Sequence, residues 1–217
     1  MGDIADHHVE MYASGRWGMP IKQNKRRDFN MAKLVGTKVT TGEVRFSYAH
    51  VFAPHAIEGN DEKYSVSILI SKDDKETIEA VEKAVEAAKQ EGKSSKFGGK
   101  IPPSLKTPLR DGDEERDDEA YAGHYFMNAT SKTKPGIVKK GSAGLVEITD
   151  EDEFYSGCYG KASVNFFPFN SNGNKGVACG LNNLFKSRDG EALAGKPSAT
   201  DDFADELDGD DGDSFLD

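Results

Sequence analysis

"KYSVSILISKDDKETIEAVEKAVEAAKQEG", residues 63–92, changes its hydrophobic period halfway along, and that change decides the fold. In the first eight residues Tyr64, Val66, Ile68 and Ile70 fall on one side, with Lys63, Ser65 and Ser67 on the other. Alternation of this kind belongs to a strand with one buried face. From Asp73 the period lengthens to that of a helix, with Ile78, Val81, Val85 and Ala88 on one stripe. Asp73 is placed to cap this helix with Glu76 three residues on, and Gly92 suits its C-terminal stop.

The flanks read as strands. Upstream, "LVGTKVTTGEVRFSYAHVFA" (34–53) is rich in β-branched and aromatic residues, broken at Gly42 and ended by Pro54. It predicts either two strands or one long strand bent at a glycine bulge. Downstream, 93–119 is loop-like, "HYFMNATSK" (124–132) is a strand and "TKPG" a turn. Residues 155–190 read as a hairpin closed by "NSNGN". A helix after three strand segments, with more strands to come, is unusual for a sandwich. It is the order of an oligonucleotide-binding (OB) barrel whose helix joins the third and fourth strands. The expectation is a mainly β, five-stranded OB-fold-type barrel with one α-helix, long loops and a disordered acidic tail. A flexible leader (1–32, with a natural-looking start at Met31) precedes the barrel domain (33–189), and a linker with the tail (190–217) follows.

Charge is segregated along the chain. The 217 residues hold 38 acidic and 28 basic side chains, a formal charge of −10. The tail "DDFADELDGDDGDSFLD" (201–217) has nine acids and no base. Two further clusters, 110–119 and 147–153, hold seven and five acids. The remainder has 17 acids against 26 bases, a net +9. A cationic surface with anionic appendages is suited to a polyanionic ligand. The two cysteines do not make a secreted disulfide framework, nothing resembles a secretory signal, and no apolar run could span a bilayer. The chain reads as cytosolic and reduced.

Catalytic motifs are missing. There is no phosphate-binding glycine loop, no paired His at helical spacing, no nucleophile elbow and no close Cys pair. A calcium-loop reading of the 110–119 cluster, counted from Asp111, fails at Arg116 and Ala122, where glycine and the bidentate glutamate belong. A two-metal nuclease would use carboxylates from separate strands, whereas contiguous acids usually form a solvated loop. The binding signature is stronger. Strands whose non-core face mixes rings and lysines suit single-stranded nucleic acid, because lysine neutralises phosphate and exposed rings stack on any base. Phe126 with Lys132 and Lys134 has this arrangement, as does Tyr159 with Lys161 and Phe167. For Phe167 a core position and a stacking position are equally open.

In order along the chain, "EKYSVSILISKDDKETIEAVEKAVEAA" (62–88), "TPLRDGD" (107–113), "YFMNATSKTKPG" (125–136) and "GCYGKASVNFFPFNSNGNKGVACGLNNLFK" (157–186) resemble phage single-stranded-DNA-binding proteins. The likeness is to the T-odd-type replication proteins and related phage families, and it covers roughly residues 33–217. It implies a protein of phage replication or recombination that coats single-stranded DNA without strict sequence preference. Such a protein acts by binding, needs no cofactor and no membrane, and works in the cytoplasm of the infected bacterial host. In this family the acidic tail competes with DNA for the basic groove and recruits replication proteins (polymerase, helicase or primase). Phe203, Leu207, Phe215 and Leu216 are then the tail's apolar anchors. The family's tail usually ends on the aromatic itself, whereas here Leu216 and Asp217 follow Phe215. A homodimer is compatible with this reading. The alternatives are a strand-annealing recombination mediator and a metal-dependent nuclease.

Overall fold

The computed structural model describes residues 31–56, 61–171 and 173–193. The leader before Met31 and the acidic tail, with Phe203, Leu207, Phe215 and Leu216, lie outside the described residues.

Among the described residues ten strands join one sheet, and five of them close on themselves. β3 (Val44–His55) pairs antiparallel with β4 (Lys63–Ser71), and β4 pairs antiparallel with β6 (His124–Ser131). β6 runs parallel to β10 (Asn174–Arg188), β10 is antiparallel to β9 (Tyr159–Ser171), and β9 returns to β3. This ring of five is the expected OB-type barrel. Two hairpins extend the sheet: β1 (Lys33–Val35) with β2 (Lys38–Thr40) beside β9, and β7 (Gly136–Lys140) with β8 (Leu145–Glu147) beside β10. A two-residue β5 (Arg110–Asp111) pairs with β6.

The long helix α1 (Lys75–Ser95) joins the second and third strands of the barrel, β4 and β6, where the sequence predicts the third and fourth. The reason lies in 34–53, which folds as three strands where two or one are expected. Gly36 turns the chain back at φ +60°, so β1 and β2 form a side hairpin outside the ring. The helix start also moves by one residue. Asp74, not Asp73, is the cap, its carboxylate accepting the Thr77 N–H at 3.0 Å. Gly92 does not stop the helix, which continues to Ser95. It is buried under Phe97 and Pro168, and a Cβ there would lie 2.3 Å from the Phe97 ring, so this glycine serves close packing.

The expected stripe of α1 is buried: Ile78, Val81, Val85 and Ala88, joined by Thr77 and Ala84, close one end of the barrel against β9. The interior holds Phe46, Val66, Ile68, Ile70, Met127, Ala129, Val164, Phe166 and Leu184, each 5 % exposed or less. Cys158 and Cys179 are free thiols in this interior, and burial pushes both thiols up.

Candidate nucleic-acid interface

Where β3, β4 and β6 run side by side, their pairing register stacks rows of side chains on the outside of the barrel. The first row crosses four strands: Tyr159 pairs with Arg45, Arg45 with Leu69, and Leu69 with Phe126. The next is Ser47, Ser67 and Asn128, and the third His50, Ser65 and Thr130. The first row is covered at its Leu69–Phe126 end, where both side chains are buried, while Arg45 and Tyr159 stay partly exposed. The other two rows open into a groove of about 500 Å³, whose lining includes Tyr48, His50, His55, Lys63, Arg116 and Asn128.

A bulge shapes this groove. β4 advances two residues from Ser67 to Ser65 while β3 advances three, from Ser47 to His50. The extra residue breaks the ladder and swings a side chain outward. Tyr48 stands there with φ +46°, the one non-glycine residue with positive φ among those described, and its side chain is 52 % exposed. A bulky residue in the left-handed region is strained, and such strain concentrates at binding sites. The Ser156 hydroxyl accepts the Ala49 N–H at 3.0 Å and fixes the strand just past the bulge. Beyond it the rings of His50 and His55 stack, with centroids 4.5 Å apart. Burial and then the neighbouring His55 hold the His50 imidazole below its ordinary range, which favours the uncharged ring.

The sequence-predicted residues divide around this groove. Lys132 and Lys134 follow the end of β6, both exposed and neither among the residues that line the groove. Lys132 meets Asp61 at 3.3 Å, and Lys134 Nζ lies 5.4 Å from the Phe52 ring centroid. Tyr159 is half-buried on the first row, with the Arg188 guanidinium 3.5 Å and that of Arg45 5.5 Å from its ring centroid. Arg188 is held in turn by Glu43 at 2.9 Å. Phe167 is 43 % exposed on the barrel's outside, its Cε1 3.2 Å from where a Cβ on Gly180 would sit. Gly180 pairs with Thr130 of the groove's third row. Of the two readings left open for Phe167, its exposure speaks against the core position. Lys161 lies outside the groove lining, half-buried and in the field of Lys33, and burial first, then Lys33, lowers its affinity for the proton.

Phe126 departs from expectation. It is on the non-core face as predicted, yet it is 0 % exposed. Tyr121 meets its ring edge-on at 5.1 Å, and the guanidiniums of Arg110 and Arg116 lie 4.7 and 5.2 Å from its centroid. A ring enclosed in this way offers no face to a base, so here the polar-face pattern hides a second small core of Leu69, Tyr121 and Phe126. The roof is built from the acidic cluster. Asp111 caps the turn at Asp113, Asp118 caps the turn at Ala120, and Arg110 pairs with Glu115. Lys72 bridges Asp111 and Asp113 at 2.6 and 2.7 Å, and these carboxylates raise the lysine well above its usual range. Tyr121 completes the roof by donating its hydroxyl to Ser67 at 3.1 Å.

Tyr48, His50, His55, Lys63, Arg116, Asn128 and Thr130 escaped sequence reasoning. For Tyr48 a signal existed. Phe46 and Val51 are both core residues, five positions apart, which strict alternation forbids. A bulge must fall between them.

The family profile described as "Enterobacter phage Enc34, ssDNA-binding protein" matches residues 37–215. Protein p50 of Acyrthosiphon pisum secondary endosymbiont phage 1 is 30% identical over 176 residues, 78% of this chain and 94% of that one. Among solved structures, the single-stranded DNA-binding protein from bacteriophage Enc34 in complex with ssDNA has 25% identity and a TM-score of 0.62. The match covers 76% of this chain and 98% of that one. The Enc34 protein on its own has 24% identity and a TM-score of 0.60, covering 80% and 97%, and supports the fold.

Proposed function

This chain belongs to the phage Enc34 family of single-stranded-DNA-binding proteins, and on that premise we propose how its own residues hold DNA. The protein coats single-stranded DNA during phage replication, in the host cytoplasm, acting by binding and not by catalysis. The observation that carries the reading is the open groove on the outside of the barrel, with Tyr48 presented at its bulge. Tyr48 stacks on a base. Lys63, Arg116, Lys132 and Lys134 neutralise phosphates along the groove, and Asn128 and Thr130 give hydrogen bonds that any nucleotide can use. Tyr159 and Phe167, on the same outer surface, extend the stacking path beyond it, with Lys161 further along β9. Phe126 stiffens the floor and does not meet a base. Stacking with backbone contacts explains binding without sequence preference, because every base has a π-face and every nucleotide a phosphate.

The tail's nine acids make it a competitor tethered to the same chain. A tethered polyanion acts at an effective concentration set by its linker, and salt screens it. Its apolar residues Phe203, Leu207, Phe215 and Leu216 anchor replication proteins such as polymerase, helicase or primase. The test is a titration of fluorescent single-stranded DNA with the full chain, the chain lacking 201–217 and Phe215→Ala, at low and moderate salt. Affinity of the full chain is expected to fall with salt, at roughly 0.7 of a log unit per log unit of salt for each phosphate contacted. The tail-less chain is expected to bind more tightly at low salt, with the gap closing as salt rises. Phe215→Ala should match the full chain on DNA and lose partner binding. Salt-independent binding contradicts the groove, and a tail-less chain that binds no tighter removes the competition.

A further inference from the structure

The sheet path begins at β1 and ends at β8, and among the described residues no further strand pairs with either. Both edges are apolar and open. Seven large apolar or aromatic side chains are exposed among the described residues. Tyr48 and Phe167 belong to the DNA path described above. The other five sit at the two edges: Met31, Leu34 and Val35 at one, Leu145 and Val146 at the other. Val35 is 76 % and Leu145 70 % exposed. The charges around these edges are opposite. Residues 31–40 carry Lys33 and Lys38 and no acid, both lysines being exposed. The β7–β8 hairpin and the run after it, 136–153, carry five acids against two bases, Lys139 (paired with Glu153) and Lys140, and Glu147, Asp150, Glu151 and Asp152 are exposed.

An unpaired strand edge presents a row of backbone donors and acceptors that templates another strand. Two edges of unlike charge at opposite ends of one sheet repel their own kind, and each fits the other on a second copy. We propose that β1 of one copy docks on β8 of the next, head to tail, with Lys33 and Lys38 facing the acidic run that begins at Glu147. A heterologous contact of this type does not close into a dimer and generates a row of copies. Single-stranded DNA is itself directional, and a directional row suits it. Three-residue edges are short, so the contact is weak between free molecules and takes effect once DNA holds the copies at high local concentration. The proposal rests on the reading of this protein as one that coats single-stranded DNA.

The test measures affinity for an oligonucleotide long enough for one copy and for a long homopolymer; the ratio gives the cooperativity. Lys33→Glu and Glu147→Lys are each expected to lower cooperativity about three- to tenfold. Dividing by each variant's own one-copy affinity removes any direct effect on DNA contact. The two substitutions together in one chain restore opposite charges across the contact and are expected to return cooperativity towards the parent's. Single variants with parental cooperativity, or a double variant no better than the singles, overturn the proposal; either result assigns the edges to another occupant, such as the residues before Met31. Failure to bind the one-copy oligonucleotide instead contradicts the DNA-binding reading itself.

Discussion

A Tyr48→Gly protein is expected to be at least as stable as the parent and yet to bind single-stranded DNA far more weakly. The two effects come from different properties of the residue. At φ +46° the tyrosine backbone is held in a region that costs a non-glycine residue about 1–3 kcal/mol. Glycine removes that strain and returns about 0.5–1 kcal/mol as unfolded-state entropy. The ring, 52 % exposed, contributes little to packing, so its loss costs little on folding. On DNA the missing ring costs about 1–3 kcal/mol of stacking, roughly five- to 150-fold in Kd. Thermal denaturation and fluorescence anisotropy on the same preparation check both halves. Tyr48→Phe keeps the ring and should keep the affinity. A glycine variant that binds DNA like the parent removes Tyr48 from the interface.

Phe126→Ala should behave in the opposite way. Its ring is 0 % exposed and wedged between Tyr121, Leu69 and two arginines, so removal leaves a cavity under the roof, beside the groove. Truncations of this kind cost about 3–5 kcal/mol. For a domain of this size that lowers Tm by roughly 6–20 °C. Below its Tm the folded variant should still bind DNA, with Phe126→Leu intermediate in stability. Parental stability combined with lost DNA affinity is the contrary result, and it would place the ring in reach of a base.

Elements written in a single strong period were legible in the sequence. The alternation of 63–70 and the α1 stripe appear where the pattern puts them, because burial on one face imposes period two or 3.6 directly on the chain. The β9–β10 hairpin also appears, its strands running on to Ser171 and from Asn174, into the loop expected at 170–174. What was hidden depends on partners distant in sequence. Nothing local shows that Gly36 sends β1 and β2 outside the ring, so counting strands before the helix misplaced the helix by one connection. Gly92 reads as a stop because its neighbours Phe97 and Pro168 cannot be seen from the helix alone. The outward face of β6 is written in its alternation; its cover is not. The 110–121 segment looks like a solvated acidic loop, and only its caps and its pairing with Lys72 turn it into the roof over Phe126. The groove lies where that roof ends, so its lining is fixed by tertiary structure and not by any motif.

The most direct test of this reading sets single- and double-stranded DNA of equal length against each other for the same protein, over a range of salt. A groove built on an exposed ring needs unpaired bases whose faces are free, and a duplex offers only its phosphates. Single strands should therefore bind at least tenfold more tightly at moderate salt (about 1.4 kcal/mol, within the contribution of one stacked base). The preference should persist as rising salt weakens both complexes. Equal affinity for the two forms at every salt concentration would contradict the account, because it would leave charge alone to explain binding.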